Sequence, residues 1–166
     1  MAIEEIVSIN MNFKNTLKAE IELLKKYEDD DSLLKGIAVE LTKNRANDIQ
    51  YHNNELTFKS GFLKTEFNPL TGISRGAINV TSINNKFLVN YTLELKHLLI
   101  WAIIATITVL VFGLNSVEEP TLKQTIAVVI GAIVAYLFIY FGYYGIISVR
   151  FNNLINRANK TSRQTK

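Results

Sequence analysis

Two uncharged stretches constrain this chain more than anything else in it. Residues 98–114 ("LLIWAIIATITVLVFGL") contain 17 positions without a charge, and residues 126–149 contain 24. As helices these runs would extend about 25 Å and about 36 Å, against a hydrocarbon core of about 30 Å. Thr106 and Thr108 do not spoil the first run, because a helical threonine can bond its hydroxyl to the preceding turn. A buried helix hairpin in a soluble fold is the competing reading. However, two adjacent runs of this length would dominate the core of a 166-residue chain. The runs therefore predict a transmembrane hairpin over residues 97–149, with spans at about 98–114 and 126–149 and a loop at 115–125.

Charge sets the direction of the hairpin. Lys86 and Lys96 precede the first run, and Arg150, Arg157, Lys160, Arg163 and Lys166 follow the second. The connection holds Glu118, Glu119 and a single base, Lys123. Seven flanking bases against one place both termini in the cytoplasm by the positive-inside rule. The predicted location is the cell inner (plasma) membrane, multi-pass. Trp101, Tyr143 and Tyr144 would share one leaflet as interfacial anchors, joined there by Arg150 and Arg157.

Small residues suggest how the spans pack. Ala127, Gly131 and Ala135 recur at four-residue spacing, with Gly142 seven positions further on, and Ala102, Thr106 and Gly113 form a matching face on the first span. Such faces let backbones approach closely, either within the hairpin or against another chain. Tyr136 and Tyr140 lie one turn apart in the second span. Their hydroxyls need partners in hydrocarbon, and Thr106 or Thr108 across the hairpin could supply them. Neither span contains Asp, Glu, Lys, Arg or His, the groups on which proton relays and ion-coupled transport depend.

Residues 1–96 read as a small α+β domain. The chain start carries Glu4 and Glu5 and alternates, unlike a signal peptide, so export of this part is not expected. Residues 7–13 ("VSINMNF") have strict period-two alternation, the mark of a half-buried strand. Residues 14–28 place Leu17, Ile21 and Leu24 on a helical stripe, with Asn15 or Thr16 as N-cap. A second helix is expected in "LLKGIAVELTKN" behind an Asp31 or Ser32 cap, weakened by Gly36. Hairpins follow. Ile49 and Tyr51 face Leu56 and Phe58 across His52–Asn53–Asn54–Glu55, and Ile78 and Val80 face the alternation 87–95 across Asn84–Asn85, since asparagine tolerates positive φ. "GFLKTEF" suggests another strand and "NPLTGISRG" a loop. Only Lys96 and His97 separate the last strand, expected to end near Glu94, from the first span.

Chemistry is poorly represented. The acidic stretch 28–32 lacks the spaced ligands and glycine of a calcium loop and reads as a solvated linker. His52 and His97 are far apart in sequence, and there is no HExxH, phosphate-binding glycine loop or GxSxG. The absence of cysteine removes thiolate sites. No catalytic residue, cofactor or metal ligand is predicted, and the chain is not expected to be an enzyme. Residues 1–97 carry 12 bases and 13 acids, so the basic balance lies in the tail 150–166. That distribution argues against nucleic acid and for an anionic inner leaflet as partner. The tail is expected to follow the headgroups for two turns and then become disordered. The functional expectation is a non-catalytic subunit or adaptor with a protein partner or self-association. The alternatives are a membrane-tethered ligand or lipid sensor, and a toxin-immunity or membrane-disrupting effector protein.

Overall fold

The computed structural model describes residues 8–12, 16–24, 29–63, 68–84, 86–116 and 121–161. Its first part is an antiparallel sheet of six strands in the order β1-β2-β6-β5-β4-β3, followed by two long apolar helices. The strands are β1 (Ser8–Asn12), β2 (Thr16–Leu24), β3 (Ala46–His52), β4 (Glu55–Ser60), β5 (Arg75–Ile83) and β6 (Lys86–Glu94). The helices are α1 (Asp30–Lys43), α2 (Lys96–Asn115) and α3 (Leu122–Thr161).

Alternation explains the central strands. Phe87, Val89, Tyr91 and Leu93 of β6 are all buried. They pair in register with Leu23, Ile21, Ala19 and Leu17 of β2 on one side, and with Ser82, Val80, Ile78 and Gly76 of β5 on the other. Every one of these β2 residues is buried as well. The helix expected over residues 14–28 is thus overturned for 16–24, which form β2. "TLKAEIELL" satisfies both periods: Leu17, Ile21 and Leu24 make a helical stripe, while Leu17, Ala19, Ile21 and Leu23 alternate. The long-range ladder to β6 decides between them, because it buries four apolar side chains where the isolated stripe offers three.

The turns follow their asparagines. Asn53 and Asn54 have φ of 43° and 63° between β3 and β4, and Asn84 has φ of 48° between β5 and β6. Paired positive φ is the geometry that matches hairpin twist. The strand expected in "GFLKTEF" does not form over residues 61–63, and residues 64–67 lie outside the described set. Residues 8–12 of the strand expected over 7–13 form β1, and Val7 and Phe13 lie outside the described set.

Helix α1 begins one turn before its apolar stripe. Asp29 is the N-cap, accepting from the Ser32 backbone N–H at 2.7 Å, so the cap lies two residues earlier than Asp31. Leu33, Leu34, Ile37, Ala38 and Leu41 then face the sheet. Asn44 and Arg45 close the helix, with Asn44 N–H donating to Glu40 O and Arg45 N–H to Thr42 O.

The larger departure from the sequence reading is α3. Its 40 residues amount to about 60 Å of continuous helix. Beyond the apolar run it does not lie as a separate tail along headgroups. Ile147, Phe151, Leu154, Ile155 and Ala158, spaced at three and four residues, are each at most 2% exposed and belong to the core of the sheet domain. With α1 they cover one face of the sheet. Asn159 donates to the Leu24 carbonyl at 3.4 Å, joining the helix to the end of β2. The amphipathic pattern at 151–155 was legible, but its partner is the sheet.

Helices α2 and α3 run antiparallel. Leu98 and Ile147 both approach Gly72, whereas Gly113 near the far end of α2 approaches Val128. Only 11% and 6% of their most apolar windows are shielded by the rest of the chain. Phe138 is 80% exposed, and Ile104, Ile107, Phe112 and Val134 are all exposed too. Two helices long and apolar enough to cross a membrane, bare on nearly every side, are compatible with transmembrane segments and unlike the core helices of a soluble fold.

Candidate functional site

The strongest constellation lies where the sheet domain meets α2 and α3. Strand β6 ends at Glu94 and α2 starts at Lys96, so a single residue, Leu95, makes the changeover. Leu95 provides no side-chain cap. The loop 68–74 substitutes for it. The Gly72 carbonyl accepts the Leu98 N–H at 3.1 Å, and Ile73 O accepts the His97 ring Nδ1–H at 2.9 Å. Ser74 donates both its N–H and its hydroxyl to Glu94 O. Orphan donors at a helix start need such partners, and here a neighbouring loop supplies them. His97 is therefore a helix-start clasp.

The loop itself is held on three sides. Asn68 Oδ1 accepts the Leu70 N–H at 2.8 Å, while Asn68 Nδ2 donates to Asn44 O at the end of α1. Leu70 and Ile73 are fully buried. Gly72 has φ of +85°, and a Cβ there would come within 2.9 Å of Ile147 Cδ1 and 3.3 Å of Leu98 Cβ. Both conformation and space therefore require glycine at this position.

Deeper in the domain, the α3 extension is keyed to the sheet. The Phe151 ring stacks 6.0 Å from Phe58 and lies 4.9 Å from Tyr91. Tyr91 donates its hydroxyl to Asn152 Oδ1 in a buried hydrogen bond. The Phe58 ring in turn lies across Gly76, its cross-strand partner, where a Cβ would fall 2.3 Å from the ring.

Above the joint, an apolar cleft of about 590 Å³ opens between the helices and the domain. Trp101 and Ala105 of α2 and Ile139 and Tyr143 of α3 form its sides. Leu63, Thr71, Gly72 and Leu98 close its domain end. Phe62 props the tryptophan wall, stacked on Trp101 at 5.2 Å and 9° and edge-on to His97 at 5.2 Å. Leu63 is 81% exposed at the rim.

The opposite face of the sheet is polar. Two shallower depressions of about 380 and 300 Å³ lie among residues such as Thr57, Ala77, Asn79, Asn90 and Thr92. Lys59 and Asp48 pair at 2.7 Å there, and that ammonium holds the Asp48 carboxyl below the usual carboxylate range. Among the described residues no group of three or more His, Cys, Asp or Glu is placed to hold a metal ion.

The residues expected to form one helix-packing face are divided. Ala102 is fully buried, Gly113 abuts Val128, and Thr106 is half-buried with its hydroxyl donated to Ala102 O at 2.7 Å. Thr108 likewise donates within its own helix, to Ile104 O. Ala135 is half-buried, whereas Ala127, Gly131 and Gly142 point away from α2, and a Cβ at either glycine would meet nothing within 4 Å. Ala132, one residue beyond Gly131, is shielded almost completely, although the four-residue spacing from Ala127 did not single it out. Of the expected anchors, Trp101 and Tyr143 are exposed, Arg157 is exposed and Arg150 half-buried. Tyr144 is only 8% exposed and belongs to the domain core, because α3 enters the domain one turn earlier than its composition suggests. Tyr136 and Tyr140 stack on each other at 6.0 Å.

No protein-family model matches the chain, and no curated protein matches it in sequence.

Proposed function

We propose that the chain is an integral protein of the inner (plasma) membrane, acting as a non-catalytic subunit or adaptor. In this reading α2 and α3 cross the bilayer, both termini are cytoplasmic, and the sheet domain presents a surface to a protein partner. The observation that carries it is the continuity of α3. One helix serves as both second span and domain core, so the domain is held at a set height and angle to the bilayer without a linker. A rigid mount of this kind suits a part that positions something else. The outward glycines of α3 and the polar sheet face are consistent with assembly. Purifying the full chain in mild detergent and measuring its mass by light scattering tests this. An oligomer or a co-purifying partner is the expected result, and a chain that stays monomeric in bilayers overturns it.

A second reading, a membrane-surface lipid or ligand sensor, is favoured by the cleft at the joint and not by the sheet interior. The largest core side chains, Phe58, Phe87 and Phe151, are at most 2% exposed and fill that interior.

A further inference from the structure

We propose that the cleft between α2, α3 and the loops 61–63 and 68–74 seats one acyl chain of a membrane phospholipid, entering sideways from the leaflet next to the domain. The inference rests on the membrane placement proposed above and names a ligand for the sensor reading. Three observations converge on it. First, the volume, about 590 Å³, falls within the roughly 300–1,000 Å³ of small-molecule sites, and the lining is mostly apolar. Second, the cleft is continuous with the bare flanks of the two apolar helices: Trp101, Ala105, Ile139 and Tyr143 belong to those runs. A hydrocarbon chain can therefore reach it without crossing water, which a soluble ligand cannot. Third, the two ends differ in polarity. On α2, His97 precedes Trp101 and Ala105 on one stripe, and on α3, Ile139, Tyr143, Ile146 and Arg150 follow one another at helical spacing. His97 and Arg150 thus lie one and two turns nearer the domain than the lining residues Trp101 and Tyr143 of their own helices, and Thr71 is among the residues that close the domain end of the cleft. That polarity matches a phosphate-bearing headgroup at the domain end and a chain running into the bilayer.

The protein supplies its own reporter, since Trp101 is its single tryptophan and forms a wall of the cleft. The full chain in detergent micelles is titrated with phosphatidylglycerol carrying brominated acyl chains, which quench indole fluorescence on contact. A seated lipid gives a saturable phase near one lipid per chain. Two variants crowd or spoil the slot without touching the buried core: Ala105→Phe fills it, and Leu63→Asp places a charge on its exposed rim. The expected result is a saturable phase weakened at least about tenfold in whichever variants keep the wild-type elution profile. Should Ala105→Phe fail to fold, Leu63→Asp alone decides. Quenching that rises in simple proportion to the brominated mole fraction, or a saturable phase unchanged in the folded variants, overturns the proposal. A chain lacking this phase can still oligomerise, so the outcome is independent of the mass measurement that tests the adaptor reading.

Discussion

Phe151, two residues past the last uncharged position of the second run, has its ring 4.9 Å from that of Tyr91 in β6, one of the two central strands of the sheet. The contact ties the end of a candidate membrane span to the centre of the domain. The Tyr91–Asn152 hydrogen bond, one residue further on, reinforces it. A displacement of α3 along its axis would therefore be felt directly by β6.

Phe151→Ala should destabilise the folded chain by about 3–5 kcal/mol, the usual cost of deleting a fully buried aromatic ring. Thermal or denaturant unfolding followed by circular dichroism measures it. A change within about 0.5 kcal/mol, as for an exposed surface site, would show that residues 150–161 are peripheral to the domain.

Gly76→Ala should cost about 1–3 kcal/mol, because the new methyl group meets the Phe58 ring and forces repacking. Pairing it with Phe58→Leu, which removes the ring edge, should recover part of the loss. Additive losses in the double variant would mean that the two positions are not in contact.

Gly131→Leu and Gly142→Leu should leave the monomer fold intact, since nothing in the chain lies within 4 Å of a Cβ at either position. If the outward face of α3 associates with another copy or a partner, the same substitutions lower the assembled mass. Unchanged mass in both variants places the assembly surface elsewhere.

Topology is open to direct labelling, because the chain contains no cysteine. A single cysteine at Thr121, between the two long helices, should react with an impermeant maleimide added to intact cells. One at Thr81, exposed on the sheet, should react only after permeabilisation. The reverse pattern would invert the proposed orientation.

Asp48 gives a pH signature. Its carboxyl is held low by hydrogen bonding and charge from Lys59, so the pair favours the folded state above the ordinary carboxylate pKa. That contribution is lost as pH falls through the depressed value, in the region below about 4. Lys59→Met should return the Asp48 titration to the ordinary range, read by NMR of the side-chain carboxyl carbon. An unmoved titration would remove the pair as the cause.

Much of the architecture could be read from spacing alone. The β5–β6 hairpin was legible because apolar residues alternate at Ile78 and Val80 and again from Phe87 to Leu93 around an asparagine turn, and the changeover near Glu94 was legible because alternation stops there. Residues 16–24 were not, since their apolar positions satisfy strand and helix periods together. The junction cleft had no linear signal either: Leu63, Gly72, Trp101 and Tyr143 come from four separate stretches.

The sequence by itself determined two apolar helices of spanning length and an antiparallel α+β domain. Both follow from local periodicity and the absence of charge, which need no knowledge of distant residues. Tertiary structure alone decided that β2 is a strand, that α3 ends inside the domain core, and that Gly131 and Gly142 face outward. In each case the choice depends on which distant surface an amphipathic face meets. Long-range burial settles that, and hydrophobic spacing along the chain cannot specify its partner.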